Sequence, residues 1–453
     1  MTTLTPDATD EPTVPFHLRD NYAPVMDELT ATDLPVIGSL PAELSGRYLR
    51  NGPNPRSGRS PHWFLGDGMI HGIRLRDGRA EWYRNRWVRT RALDEPGARM
   101  IGDDGSVDRT IGVANTHVVG HAGRILALVE SSFPHELTLD LDTVGIHDFD
   151  GRLESAMTAH PKVCPATGEM HFFGYGFFKP YLTYHRVSPA GELVQTEIID
   201  VPGPTMIHDF SITETHVIFM DLPVVFDLEI AMSGGMPYRW DDEYGARLGV
   251  MPRGVTGVRP TWFEVEPCYV FHPMNSFDLV GESGSVEQIV LDTARYAELW
   301  RQGSAEFRND ASLHRFTLDL VAGRAREEPL DDRAIEFPRV ADDRVGLRNS
   351  VGYAVATFGE HNAIMRYDLD DDGSVAHDFG EDRIPGEAVF VPRDGATRED
   401  DGYLLMYVYD KGADSSEFVV LDANEVAGAP IARVPLPQRV PFGFHGSWIP
   451  DAE

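Results

Sequence analysis

The sequence predicts an all-β fold, a β-propeller with its long irregular pieces as loops on one face. Three observations carry that expectation. Short runs of alternating polarity recur from about Leu34 almost to the end, tight-turn dipeptides separate them, and helical periodicity is scarce. Period-two alternation marks strands with one buried face. Radial repetition absorbs many such strands without leaving long exposed edges.

In chain order, residues 1–15 are polar and rich in Thr, Asp and Pro. That composition buries too little apolar surface to order itself, so a disordered tail is expected there, followed by a single domain over 16–453. Strands are expected at His71-Gly-Ile-Arg-Leu-Arg, Ile125-Leu-Ala-Leu-Val, Val217-Ile-Phe-Met and Tyr403-Leu-Leu-Met-Tyr-Val-Tyr. Turns are expected at Asp77-Gly78, Asp104-Gly105, Asp150-Gly151, Asp372-Gly373, Asp394-Gly395 and Asp401-Gly402, because Asp-Gly accepts positive φ at both central positions. Helix is expected only at 292–301 and, more weakly, at 224–232. The spans 51–66, 221–262 and 335–350 read as long loops, where binding sites are commonly built. No Trp-Asp or kelch-type repeat marks the blades.

Charge excludes some functions. Forty basic residues face 72 acidic ones, a net charge of −32, and a field of that sign repels nucleic acid and anionic lipid. Only Lys162, Lys179 and Lys411 are lysines. Cys164 and Cys268 stand far apart outside any CxxC pattern, so neither a disulfide framework nor a thiolate zinc site organises the chain. No run approaches the ~20 apolar residues of a membrane helix. The first residues lack the basic and apolar regions of a secretory signal, and a cytoplasmic location is the expectation. No feature specifies an oligomer.

Seventeen histidines remain to be placed. His117, His121, His135 and His147 lie near turns or polar stretches and read as structural. His160, His208, His272 and His445 each sit beside a small or aromatic residue at the edge of an apolar run. Their separations are too great for one helix or turn to gather them. A closed fold returning repeatedly to one axis could do so.

The chain resembles the carotenoid cleavage oxygenase family over nearly its whole length. The resemblance runs from Asn21-Tyr-Ala-Pro-Val through Leu44-Ser-Gly-Arg-Tyr-Leu-Arg-Asn-Gly-Pro-Asn-Pro and Phe64-Leu-Gly-Asp-Gly-Met-Ile-His-Gly. It continues through Tyr83-Arg-Asn-Arg-Trp-Val-Arg-Thr, Asn115-Thr-His and Leu126-Ala-Leu-Val-Glu, then the four histidine contexts in order, ending at Phe444-His-Gly-Ser-Trp. It implies seven blades with a dome of loops and short helices over the metal-bearing face, and one Fe(II) per chain with O2 as cosubstrate. It implies His160, His208, His272 and His445 as iron ligands, with Glu130, Glu336 and Glu387 behind them. His71 and Asp67 lie in a strong family motif and read as structural. Four neutral imidazoles suit a borderline metal such as Fe(II) and leave coordination positions open. A carboxylate on the far ring N–H fixes each ligand's tautomer. Zinc hydrolysis fits poorly, since four histidines would fill zinc's tetrahedral shell.

The implied reaction is oxidative cleavage of a C=C bond into two carbonyl products. Phenolic-stilbene cleavers of the family resemble one another in a lysine just before the first of these glutamates. Here that position is Val129, which neither donates to nor offsets a phenolate. The expected substrate is therefore an apolar conjugated one, an apocarotenoid ahead of a full-length carotenoid. The alternatives are the same chemistry on a stilbenoid or phenylpropene, and a non-catalytic ligand-binding propeller. Phe64, Trp87, Phe133 and Phe277, with Val129, are expected to wall the substrate tunnel. The apolar run from Pro223 to Met232 could touch a membrane, though its two acids allow only weak peripheral contact.

Overall fold

Seven antiparallel sheets follow one another along the chain and close into a ring. The computed structural model describes residues 14–102, 104–301, 303, 310–358 and 360–451. Most of the expected tail, 1–13, lies outside the described residues. Blade 1 contains Gly46–Pro53, Gly68–Arg76 and Arg79–Trp87, with Thr30–Thr32 on its outer edge. Blade 2 runs from His117–His121 to Thr143–Ile146, blade 3 from Lys162–Val163 to Leu193–Ile199, and blade 4 from Phe210–Ile212 to Thr261–Glu264. Blade 5 runs from Tyr269–Val280 to Arg324–Pro329 and blade 6 from Ala334–Arg339 to Gly373–Gly380. Blade 7 is built on Gly402–Asp410, Ser415–Asp422 and Ala432–Pro435.

Both ends of the chain close the ring. Ile37–Gly38 pairs with Ala432–Pro435 on the outer edge of blade 7. Gly446–Pro450 returns to blade 1 as its innermost strand, pairing Arg50 with Gly446 and Gly46 with Pro450. Asp451 then clasps Arg47, Arg74 and Arg76 at 2.8–3.1 Å. Tyr48, Ile73 and Tyr83 from blade 1 pack on Leu405 and Phe418 from blade 7. Each such fully buried side chain contributes about 1.5–3 kcal/mol.

The expected strands form at all four quoted runs. Asp77 and Gly78 make a two-residue hairpin with φ of 50° and 70°, matching the twist of the strands they join. Gly402, by contrast, has no positive φ and opens a strand. A Cβ there would stand 2.4 Å from the Val391 carbonyl oxygen, so close approach, not a turn, demands glycine.

Two element expectations need correction. Residues 292–301 are not a helix: Val286–Tyr296 is an eleven-residue strand at the centre of blade 5. Neighbouring strands and blades bury both its faces, which removes the alternation that would have revealed it. The 224–232 segment splits at Asp227, whose carboxylate accepts from Glu229 N and Ile230 N and caps a short helix, Leu228–Met232, after the strand Val224–Phe226. That strand pairs with Tyr238–Trp240 as a hairpin inserted between the two central strands of blade 4. The expected loops are likewise more ordered: 335–350 begins with the inner strand of blade 6, and 221–262 carries the whole blade strand Arg247–Pro252 and the start of Thr261–Glu264 besides the hairpin. No helix among the described residues is long and apolar enough to cross a membrane.

Candidate metal centre

Each blade brings one chemical group to the axis. His160, His208 and His445 stand one or two residues before the inner strands of blades 3, 4 and 1, and His272 lies within that of blade 5. Glu336 lies in the inner strand of blade 6, Glu387 just before Val389–Pro392 in blade 7, and Glu130 just after Arg124–Leu128 in blade 2. Local chemistry fixes these turns. Thr158 Oγ1 accepts from His160 N and donates to the His208 carbonyl, tying blades 3 and 4 together. Blade 5's register shifts between Val270 and Pro273, and such irregularities re-aim side chains.

All four histidines are buried, and one nitrogen of each lies within 4.8 Å of the others. Three of their far nitrogens are taken. His208 Nδ1 meets Glu130 at 2.7 Å, His272 Nδ1 meets Glu336 at 2.6 Å and His445 Nδ1 meets Glu387 at 2.9 Å. An ionised carboxylate only accepts, so each Nδ1 carries the proton and each Nε2 presents a lone pair. His272 Nε2 is buried with no hydrogen-bond partner. His160 Nε2 and His208 Nε2 face each other at 3.0 Å. A buried orphan acceptor is costly without a cation beside it, and a divalent first-row metal fits this all-imidazole set. Burial holds the His160 and His445 pKa values well below the usual histidine range, which keeps them neutral and ligand-competent. For His272, burial pulls down but the carboxylates of Glu336, Asp209 and Glu387 outweigh it.

Charge around the cluster is graded. Buried Asp209 lies 3.7 Å from His160 Nδ1 and is paired with Lys162 at 2.8 Å. Glu387 is paired with Arg339 at 3.3 Å, and its pKa lies far below the usual carboxylate range because the Arg339 guanidinium and the hydrogen bond from His445 outweigh its burial. Glu130 and Glu336 have neutral donors beyond their histidines: the hydroxyls of Tyr175 at 2.7 Å and Tyr296 at 2.9 Å, and the Phe337 N–H. Two of the four carboxylates thus keep their charge uncompensated, equal and opposite to that of a divalent ion.

The cluster separates two cavities. One, of about 650 Å³, brings charged side chains, Lys162, Asp209 and Arg339, beside His160, His272 and His445. The other, about 570 Å³, is walled by Phe64, Val129, Phe271, Phe337 and Phe444 and reaches His208, His272 and His445. Of the five expected tunnel residues, Phe64 and Val129 line this cavity. Trp87 packs on Val25, Met69 and Leu93 and donates to the Asn54 carbonyl. Phe133 packs on the core between blades 2 and 3. Phe277 is five residues beyond His272 on the same strand, about 16 Å along it. Motif proximity misplaced all three.

Sequence reasoning missed Phe271, Phe337 and Phe444, each adjacent to a site histidine or glutamate, which was the available signal. Phe337 adopts φ 52°, unusual for an aromatic residue, at a break in register beside Glu336. That turn stacks its ring on His272 at 5.4 Å. His117, read as structural, donates from Nδ1 to the Ala159 carbonyl and lies 5.2 Å from the His445 ring. His71 and Asp67 fill structural places, with His71 Nδ1 on Tyr83 and Asp67 on the Arg56 N–H.

Comparison with known proteins agrees with this architecture. A family model described as "Retinal pigment epithelial membrane protein" matches residues 22–450. A curated Mycobacterium tuberculosis protein named carotenoid cleavage oxygenase is 40% identical over 96% of this chain and 97% of its own. The solved Pseudomonas brassicacearum lignostilbene dioxygenase superposes with a TM-score of 0.85 at 29% identity, covering 98% of this chain and 100% of its own. Cobalt-substituted Synechocystis ACO gives 0.83 at 28% identity, covering 95% and 98%. A seven-bladed ring, a buried four-histidine cluster and matches of this extent lead to one conclusion: the chain belongs to the carotenoid cleavage oxygenase family.

Proposed function

We propose that the protein is a non-haem Fe(II)-dependent dioxygenase that cleaves one C=C bond of an apocarotenoid or carotenoid into two carbonyl products. The observation that carries this reading is the convergence of four imidazoles, with one nitrogen of each within 4.8 Å of the others, beside an apolar, aromatic-lined cavity that three of them reach. His160, His208, His272 and His445 would hold the iron, and Glu130, Glu336 and Glu387 would orient three of them through Nδ1. Bound there, the iron supplies O2 activation. Phe64, Phe271, Phe337 and Phe444 would hold a stiff conjugated chain by shape and exclude water, as apolar sites do. No side chain need act as nucleophile or general acid.

Val129, buried on the cavity wall, supports a polyene over a phenol. The solved lignostilbene dioxygenase supports a second reading, the same chemistry on a stilbenoid. The test is one panel: protein reconstituted anaerobically with Fe(II) meets β-apocarotenals, β-carotene, resveratrol and isoeugenol, then 18O2 is admitted. Paired labelled carbonyls from a polyene uphold the first reading, and cleavage of the phenols alone overturns it in favour of the second.

A further inference from the structure

A third cavity, of about 630 Å³, adjoins the apolar one and shares Met100, Ser131, Tyr175 and Phe177 with it. Its charge runs against that of the chain. In a protein with 40 basic and 72 acidic residues, Arg109, Arg152 and Lys179 line it, and among the described residues the one carboxylate lining it is Glu154. Arg152 and Lys179 are exposed at the rim, and Arg109 is half-buried further in.

Arg109 has no acidic partner among the described residues. The neighbouring Asp108 carboxylate is committed to Arg91 and Thr110. Burial lowers the guanidinium's pKa, with no carboxylate raising it back. The guanidinium comes up against Gly176, with Nη2 3.4 Å from where a Cβ would stand, directly after the tyrosine whose hydroxyl meets Glu130. Ser155, His185 and Thr196 on the same wall bond to one another at 2.7 and 3.0 Å. What this wall offers a ligand is therefore a planar fork of charged donors. A partly desolvated cation without a counter-charge is costly, and a guanidinium matches a carboxylate bidentately.

We propose that Arg109 is a specificity residue that receives the terminal carboxylate of an acidic polyene whose conjugated chain extends into the apolar cavity beside the metal centre. This rests on the polyene-cleavage reading and narrows it to a substrate class: conjugated acids ahead of the matching alcohols, aldehydes and esters. Lys179 and Arg152 at the rim raise the local potential that draws an anion inward.

The test uses iron-loaded protein without O2, titrated with all-trans-retinoic acid and with its methyl ester, and read by quenching of tryptophan fluorescence. Wild type should bind the acid about tenfold or more tightly than the ester, the size of one charge-assisted hydrogen bond. In Arg109→Gln that ratio should collapse toward one, while Arg109→Lys retains part of it. Equal affinities in wild type, or an undiminished ratio in Arg109→Gln, would overturn the assignment. Admitting O2 with longer polyene acids and esters then separates the two readings. Acid preference through Arg109 without cleavage keeps this site and refutes the enzymatic reading; cleavage without acid preference does the reverse.

Discussion

The Tyr296 hydroxyl donates to Glu336 at 2.9 Å, and the other oxygen of that carboxylate receives the His272 Nδ1 proton at 2.6 Å. Tyr175 stands in the same relation to Glu130 and His208. Burial raises both phenol pKa values far above their usual range, so each tyrosine orients a carboxylate without neutralising it. Glu336→Gln and Glu130→Gln should each lower iron affinity or turnover roughly 10–100-fold. Tyr296→Phe should have a smaller effect in the same direction. Iron per chain by plasma emission, measured beside turnover, checks this; wild-type behaviour in Glu130→Gln would remove its supporting role.

His272→Ala should lose iron and activity together, because its Nε2 has no partner to fall back on. Retention of stoichiometric iron by that variant would mean the cluster is assembled differently.

Lys162→Met would leave Asp209 buried and unpaired beside His160. Breaking a buried pair on one side costs about 3–5 kcal/mol. Urea denaturation of the metal-free protein should show a loss of that order, and the double variant Lys162→Met with Asp209→Asn should recover much of it. A single variant as stable as wild type would show the pair to be dispensable.

Acid should destabilise the metal-free protein before its carboxylates titrate. Burial lowers the pKa of His135 and His185 to about 4 and of His171 to about 3. In the unfolded chain these rings take a proton near pH 6.5, whereas in the folded protein they remain neutral. Their contribution is complete above 6.5 and shrinks as pH falls toward 4, by about 1.4 kcal/mol per group for each unit. The melting temperature should fall across that window, and a flat profile from pH 6.5 to 5 would refute the burial argument.

Val129→Lys would put an ammonium on the wall of the apolar cavity. We expect kcat/KM for a polyene to drop about tenfold or more, since burying an unpaired charge exceeds 1.4 kcal/mol. Phenolic stilbenes should gain relative to polyenes. An unchanged ratio between the two substrate classes would mean that position 129 does not read the substrate.

Much of the architecture was legible because its signals are local. Alternation and Asp-Gly turns located strands, and the flanks of the four histidines pointed to them. What failed was non-local. The strand over 286–296 loses its alternation because both faces are covered by other blades. Trp87, Phe133 and Phe277 sit near motifs in sequence, but strand direction carries them elsewhere. Lys162 and Arg339 could not be recognised as charge partners, because Asp209 and Glu387 become buried only when the ring closes.

Ring closure by Gly446–Pro450 also sets an order of events during synthesis. His445 enters the cluster only when that strand seats against Gly46–Pro53. On a ribosome the 173-residue step from His272 to His445 takes roughly 9–35 s to make at about 5–20 residues per second. Through that interval three imidazoles stand in an open ring with Glu130 in place behind His208, and Glu336 joins them only after a further 64 residues. Metal identity is then decided at the closing of the circle, so growth conditions during expression, more than later dialysis, should govern which ion the purified protein holds.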